Sequence, residues 1–157
     1  MIRTDFKLLD SQLRALLDGE RDALAATGNF VALLFNALSD INWLGVYVLR
    51  GDELVLGPFQ GKPACVHIAL DEGICGAAAS TLETQRVADV HAFPGHIACD
   101  VDSRSELVVP LLVHDQLIGV LDIDSPITRR FSVADQDGVE KLCKTFCELQ
   151  ETRKYFI

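Results

Sequence analysis

The run SELVVPLLVHDQLIGVLDIDS (residues 105–125) decides the fold. Two apolar stretches, Leu107–Val113 and Leu117–Ile123, flank the polar break His114-Asp115-Gln116, the pattern of a β-hairpin. Side chains alternate across a strand, so Asp122 and Asp124 share one face. If the two strands pair around 114–116, Glu106, just ahead of the first, lands near Asp124. Three carboxyl groups then gather at one end of a sheet. Like charges that close cannot all ionise, so at least one pKa rises and leaves a neutral carboxylic acid, the form a general acid needs. The plainer alternatives are a solvated strand end, or turn chemistry at Asp124-Ser125-Pro126.

Outward from the hairpin, the upstream half holds a second one. Trp43–Leu49 reads as a strand, Arg50-Gly51-Asp52-Glu53 as a turn, and Leu54–Leu56 as the return strand. Gly57, Pro58, Gly61 and Pro63 mark a loop, and Cys65–Leu70 another strand. Gly73–Leu82 suits a short helix and Gln85–Ala88 a short strand. Residues 4–38 carry Phe6, Leu9, Leu13, Leu16, Leu17, Leu34 and Leu38 at helical spacing, with a break near Asp18-Gly19. After the hairpin, Ser132-Val-Ala-Asp135 is a capping box. Val139, Leu142, Cys143, Phe146 and Leu149 give an amphipathic closing helix. The order predicts an α+β fold: a central antiparallel sheet with N- and C-terminal helices packed on one face. Asp89–Arg104 has no regular signal and is long for a connection, which marks it as a functional loop.

The 157 residues suit one domain spanning 1–157. Fourteen basic against 23 acidic residues leave a net charge of −9, which argues against nucleic acid or a membrane surface as partner. The opening MIRTDFKLLDSQ has no apolar signal core, so a cytoplasmic location is expected. In that reducing compartment stable structural disulfides are not expected, and the five cysteines invite a reactive-thiol or metal reading.

Cys143 and Cys147 lie four apart on the closing helix and read as core. Cys65, Cys75 and Cys99 sit in Gly- and Pro-rich surroundings: GKPACV, EGICGA and PGHIACD. Cys75, near a helix start, is expected to have a lowered thiol pKa from the aligned peptide dipoles. Cys99, in the irregular acidic loop, is either an inert thiol or one that reaches substrate. His96-x-x-Cys99 with Cys65 and Cys75 would supply four zinc ligands, but the gaps are irregular and no Cys-x-x-Cys pair exists. Cys65-Val66-His67 is a weak signal for a covalent tetrapyrrole. His91 and His96 could tune a thiol. Trp43 and Tyr47 share a strand face, as core or as a pocket wall.

Taken in register, six motifs resemble the stand-alone GAF-domain family of free methionine-(R)-sulfoxide reductases. They are DINWLGVY (40–47), LVLGPFQGKPAC (54–65), GICG (73–76), ADVHAFPGHIACD (88–100), SELVVPL (105–111) and GVLDIDS (119–125). The resemblance implies a GAF fold with a ligand pocket under a loop. It implies Cys99 as catalytic thiol, Cys65 as resolving thiol, and Cys75 as a third redox cysteine able to exchange disulfide. Glu106, Asp122 and Asp124 would surround the sulfoxide and the substrate amine, with Trp43 and Tyr47 as aromatic wall. It implies free methionine (R)-sulfoxide as substrate, thioredoxin as reductant, and no metal or organic cofactor. Whether two copies form a homodimer is left open.

Two rival classes share parts of this pattern. A small-molecule-binding GAF sensor would bind without catalysis, usually beside an output domain, and has no need of three loop cysteines. A non-catalytic redox switch would share the thiols but turn nothing over.

Overall fold

The computed structural model describes residues 3–96 and 99–150. Ile97 and Ala98 of the GHIACD motif, and the tail Lys154–Ile157, lie outside them. Two helices open the chain, α1 (Phe6–Leu17) and α2 (Ala23–Ala37). Strands β1 (Trp43–Arg50), β2 (Glu53–Gln60) and β3 (His67–Ala69) follow, then α3 (Gly73–Thr81), β4 (Gln85–Val87), β5 (Ser105–Val113), β6 (Gln116–Ser125) and α4 (Val133–Gln150). The strands form one sheet in the order β3-β2-β1-β6-β5-β4, every neighbouring pair antiparallel.

Local chemistry sets the ends of the elements. Asp5 and Asp22 accept from the backbone N–H groups of Leu8 and Ala25 at the starts of α1 and α2, as N-cap carboxylates do. Ser132 and Asp135 form the reciprocal capping box: Asp135 N–H donates to Ser132 Oγ at 3.1 Å, and Ser132 N–H to Asp135 Oδ2 at 2.8 Å. The β5–β6 hairpin closes through His114 and Asp115, both with positive φ, as a two-residue turn matched to strand twist requires.

The sheet is apolar on both faces. Leu44, Val46 and Val48 of β1, Leu107, Val109 and Leu111 of β5, and Leu121 and Ile123 of β6 meet α1, α2 and α4 in the larger core. Phe30 of α2 stacks on Phe146 of α4 at 4.3 Å between ring centroids. Cys143 and Cys147 are buried in this core, as expected. The alternate residues Trp43, Tyr47, Val108 and Val120 face the other way, against α3. The terminal helices thus share one face, and the small helix covers the other.

Several sequence expectations are corrected. β2 runs on to Gln60 rather than stopping at Leu56. Its register against β1 slips by one residue between Leu56 and Phe59, and Gly57-Pro58 occupy that bulge, where a proline costs no ladder bond. The third strand is only His67–Ala69, so Cys65 lies before it rather than within it. Leu16 fits the helical spacing but is 43 % exposed. The segment Asp89–Arg104 contains one turn of 3-10 helix, Val90–Ala92. No helix among the described residues is long and apolar enough to cross a membrane.

Candidate active site

Register brings the three carboxyl groups together. Glu106 on β5 pairs with Asp124 on β6, and Asp124 also pairs with Trp43 on β1. Asp122, two residues back on the same face, is flanked by Gly45 and Val108, neither of which has a polar side chain. Glu106, Asp122 and Asp124 are 7 %, 6 % and 9 % exposed. They form the floor of a small cavity, about 40 Å³, on the α3 side of the sheet.

Burial, followed by the charges of Asp122 and Asp124, pushes Glu106 well above the ordinary carboxyl range. Asp124 rises likewise, through burial and then the charges of Asp122 and Asp100. Asp122 is also raised by burial, but hydrogen bonds with Glu106 and Cys75 oppose the shift. Burial and mutual repulsion thus push all three groups toward the protonated form, the direction the hairpin pattern predicts for at least one of them. Tyr47, buried beside these acids, is pushed up by desolvation and then by the Asp122 charge.

The aromatic wall also fastens the loop that carries Cys65. Trp43 Nε1 donates to the Lys62 carbonyl at 3.0 Å, and the Tyr47 hydroxyl to the Cys65 carbonyl at 3.0 Å. The Trp43 ring packs where a Cβ on Gly45 or Gly61 would sit, 2.4 Å and 2.6 Å from its atoms. Gly61 moreover has φ +128°, a conformation that side-chain-bearing residues rarely adopt. Lys62, three residues before Cys65, pairs with Asp102, three residues after Cys99, at 2.7 Å. Asn42 Nδ2 donates to Asp100 Oδ2 at 3.2 Å, steadying the loop just after Cys99. The sequence reading missed Asn42, Lys62, Asp102 and Ser103. Their only signal was adjacency to Trp43, Cys65 and Cys99.

Cys65 and Cys99 are joined as a disulfide with Cα atoms 5.6 Å apart, although 34 residues separate them in sequence. Cys99 lines the cavity together with His96, whose pKa is lowered by burial and then by His91. Cys75 is free and lines the same cavity from the first turn of α3. Its expected low pKa is overturned. Burial, followed by the charges of Asp122, Glu106 and Asp124, lifts the thiol well above its ordinary value, and these outweigh the helix dipole. The four-ligand set weighed for zinc is not available in this state, because two of its thiols are bonded to each other. Cys75, Glu106 and Asp122 offer three donor atoms within 4.8 Å of one another, and a metal there would have to displace their protons.

A curled antiparallel sheet with a small cavity between it, a short helix and a long loop defines the class, and the family model of the GAF domain matches residues 9–147. The free methionine-R-sulfoxide reductase of Escherichia coli strain K12 is 48 % identical over 156 residues, covering 99 % of this chain and 94 % of that protein. Among solved structures, the fRMsr of Staphylococcus aureus in complex with substrate superposes with a TM-score of 0.90 at 48 % identity, covering 95 % and 97 % of the two chains. A Burkholderia vietnamiensis protein described as a GAF sensor gives 0.89 at 55 % identity, covering 91 % of each. The chain belongs to the free methionine-R-sulfoxide reductase family of GAF proteins.

Proposed function

We propose that this protein reduces free L-methionine (R)-S-oxide to L-methionine through a thiolate, sulfenic acid and disulfide cycle recycled by thioredoxin. The observation that carries the reading is the Cys65–Cys99 disulfide, whose Cys99 lines the same cavity as Glu106, Asp122 and Asp124. The related proteins named above supply the substrate.

The Cys99 thiolate attacks the sulfoxide sulfur, and a protonated acid of the floor gives its proton to the departing oxygen. The S–O bond breaks as hydroxide departs, leaving the Cys99 sulfur bonded to the methionine sulfur. Hydroxide then attacks the Cys99 sulfur, that sulfur–sulfur bond breaks, methionine leaves, and Cys99 is left as a sulfenic acid. The sulfoxide sulfur gains two electrons and Cys99 loses two. The Cys65 thiol then displaces hydroxide from Cys99; with one proton it leaves as water, and the disulfide forms. Cys75 is the third redox cysteine of this reading, able to exchange into that bond. A thioredoxin dithiol returns both thiols to the reduced state by exchange in the reducing cytoplasm. The carboxyl cluster and the Trp43–Tyr47 wall suit an amino acid that brings its own ammonium.

The test is methionine release from racemic methionine sulfoxide with thioredoxin or dithiothreitol as electron source. Consumption stopping at half, with the R epimer gone, is expected. The sensor reading, favoured by the Burkholderia relative's description, predicts ligand binding with no methionine released.

A further inference from the structure

A closed circuit of hydrogen bonds ties together the two segments that bear the bonded cysteines, residues 61–66 with Cys65 and residues 99–104 with Cys99. It starts from two adjacent residues at the head of β1. Trp43 Nε1 donates to the Lys62 carbonyl at 3.0 Å, and the Lys62 ammonium donates to Asp102 Oδ2 at 2.7 Å. The Asp102 N–H donates to Asp100 Oδ1 at 2.9 Å. Asp100 Oδ2 accepts from Asn42 Nδ2 at 3.2 Å, which returns the circuit to its start. Among the described residues, Lys62–Asp102 is the one hydrogen bond that joins the two segments directly. With 34 residues between Cys65 and Cys99, the chain itself does little to keep the two sulfurs adjacent when the disulfide is open.

Both side chains of the pair are exposed, 68 % and 57 %. An isolated exposed pair contributes little, because two long side chains must be ordered to make it. Here the backbone at each end is already held, Lys62 by its carbonyl and Asp102 by its N–H, so less freedom remains to be lost.

We propose that Lys62 is a positioning residue: its ammonium, paired with Asp102, clasps the Cys99 segment to the Cys65 segment while the thiols are reduced and keeps Cys65 within reach of Cys99 for the resolving step. This inference deepens the reductase reading and rests on it for its kinetic test. Neither residue lines the cavity, so the pair acts on the meeting of the two sulfurs and not on the sulfoxide. The bond between them holds Lys62 above its ordinary pKa and Asp102 below, in agreement with a pair that stays charged.

The kinetic experiment follows reduced enzyme after addition of methionine sulfoxide without reductant, counting methionine and remaining thiols by rapid quench. Lys62→Ala and Asp102→Ala should each slow closure of the Cys65–Cys99 disulfide by roughly two- to fivefold, and by more than they slow methionine release. The double variant should be no slower than either single one, and exchanging the charges, Lys62→Asp with Asp102→Lys, should restore part of the rate. Salt at about 1 M should slow wild type and leave the alanine variants where they are. Alanine variants that close the disulfide at the wild-type rate, or losses that multiply in the double variant, would overturn the proposal. A second readout needs no sulfoxide. At equilibrium with reduced and oxidised glutathione, the wild-type disulfide should be favoured over that of Lys62→Ala by a similar factor, and equal constants would equally defeat the clasp. If the wild-type protein releases no methionine, the reductase reading fails, and the glutathione equilibrium still decides the role of Lys62.

Discussion

The Tyr47 hydroxyl donates to the backbone carbonyl of Cys65 at 3.0 Å, so one side chain both walls the cavity and fixes the strand-to-strand loop bearing a disulfide sulfur. Tyr47→Phe keeps the ring and removes that tether. A hydrogen bond of about 1 kcal/mol corresponds to roughly a fivefold effect. Disulfide formation after methionine release should slow by about that factor, and more than methionine release itself does. Rapid-quench thiol counting against methionine yield checks the order.

The two bonded cysteines should fail differently. Cys99→Ser abolishes methionine formation altogether. Cys65→Ser yields about one methionine per enzyme and then stalls as a sulfenic acid that dimedone captures, if Cys75 does not take over. Equal, complete loss in both variants before the first turnover would contradict the assigned roles.

The acid floor makes stability fall as pH rises. Glu106 has a folded-state pKa well above its unfolded value near 4.3, so the folded protein holds a proton that the unfolded chain has already lost. Its contribution is complete below the unfolded pKa and is lost as pH climbs through the folded one. Glu106→Gln, which never ionises, should therefore raise the melting temperature relative to wild type, and by more at pH 8 than at pH 5, while methionine formation falls. A melting difference that shrinks with rising pH would refute this assignment.

Cys143 lies in the helix-side core, 2 % exposed, far from the cavity lining. Cys143→Ser places a hydroxyl there. It should cost about 1–3 kcal/mol in urea unfolding and leave methionine release intact. Loss of activity in a folded variant would mean that the closing helix takes part in the chemistry.

The hairpin at 105–125 was legible from alternation alone, because a period of two fixes both the pairing and the face of each acid. Glu106 does meet Asp124 across the strands. The terminal helices were legible from their caps and apolar stripes. The extension of β2 was not, because Gly57 and Pro58 read as loop until a bulge absorbs them. Leu16 fitted its stripe, but a helix buries only the arc that its neighbours cover. The Cys75 ionisation was misjudged for a related reason. Its position in α3 is visible in the sequence, whereas three buried acids facing it from β5 and β6 belong to the tertiary fold. The tethers from Trp43 and Tyr47 to residues 62 and 65 were hidden as well, since a backbone carbonyl leaves no mark in a sequence.

Strand β6 works on two sides of a layer one residue thick. Leu121 and Ile123 grip the helices while Asp122 and Asp124 look into the cavity. A single inserted residue early in that strand would rotate the whole ladder by half a turn, thrusting the acids into oil and the aliphatic groups into the cavity. Length in this stretch is thus under stricter constraint than identity: point changes can alter either face separately, but an indel exchanges both at one stroke.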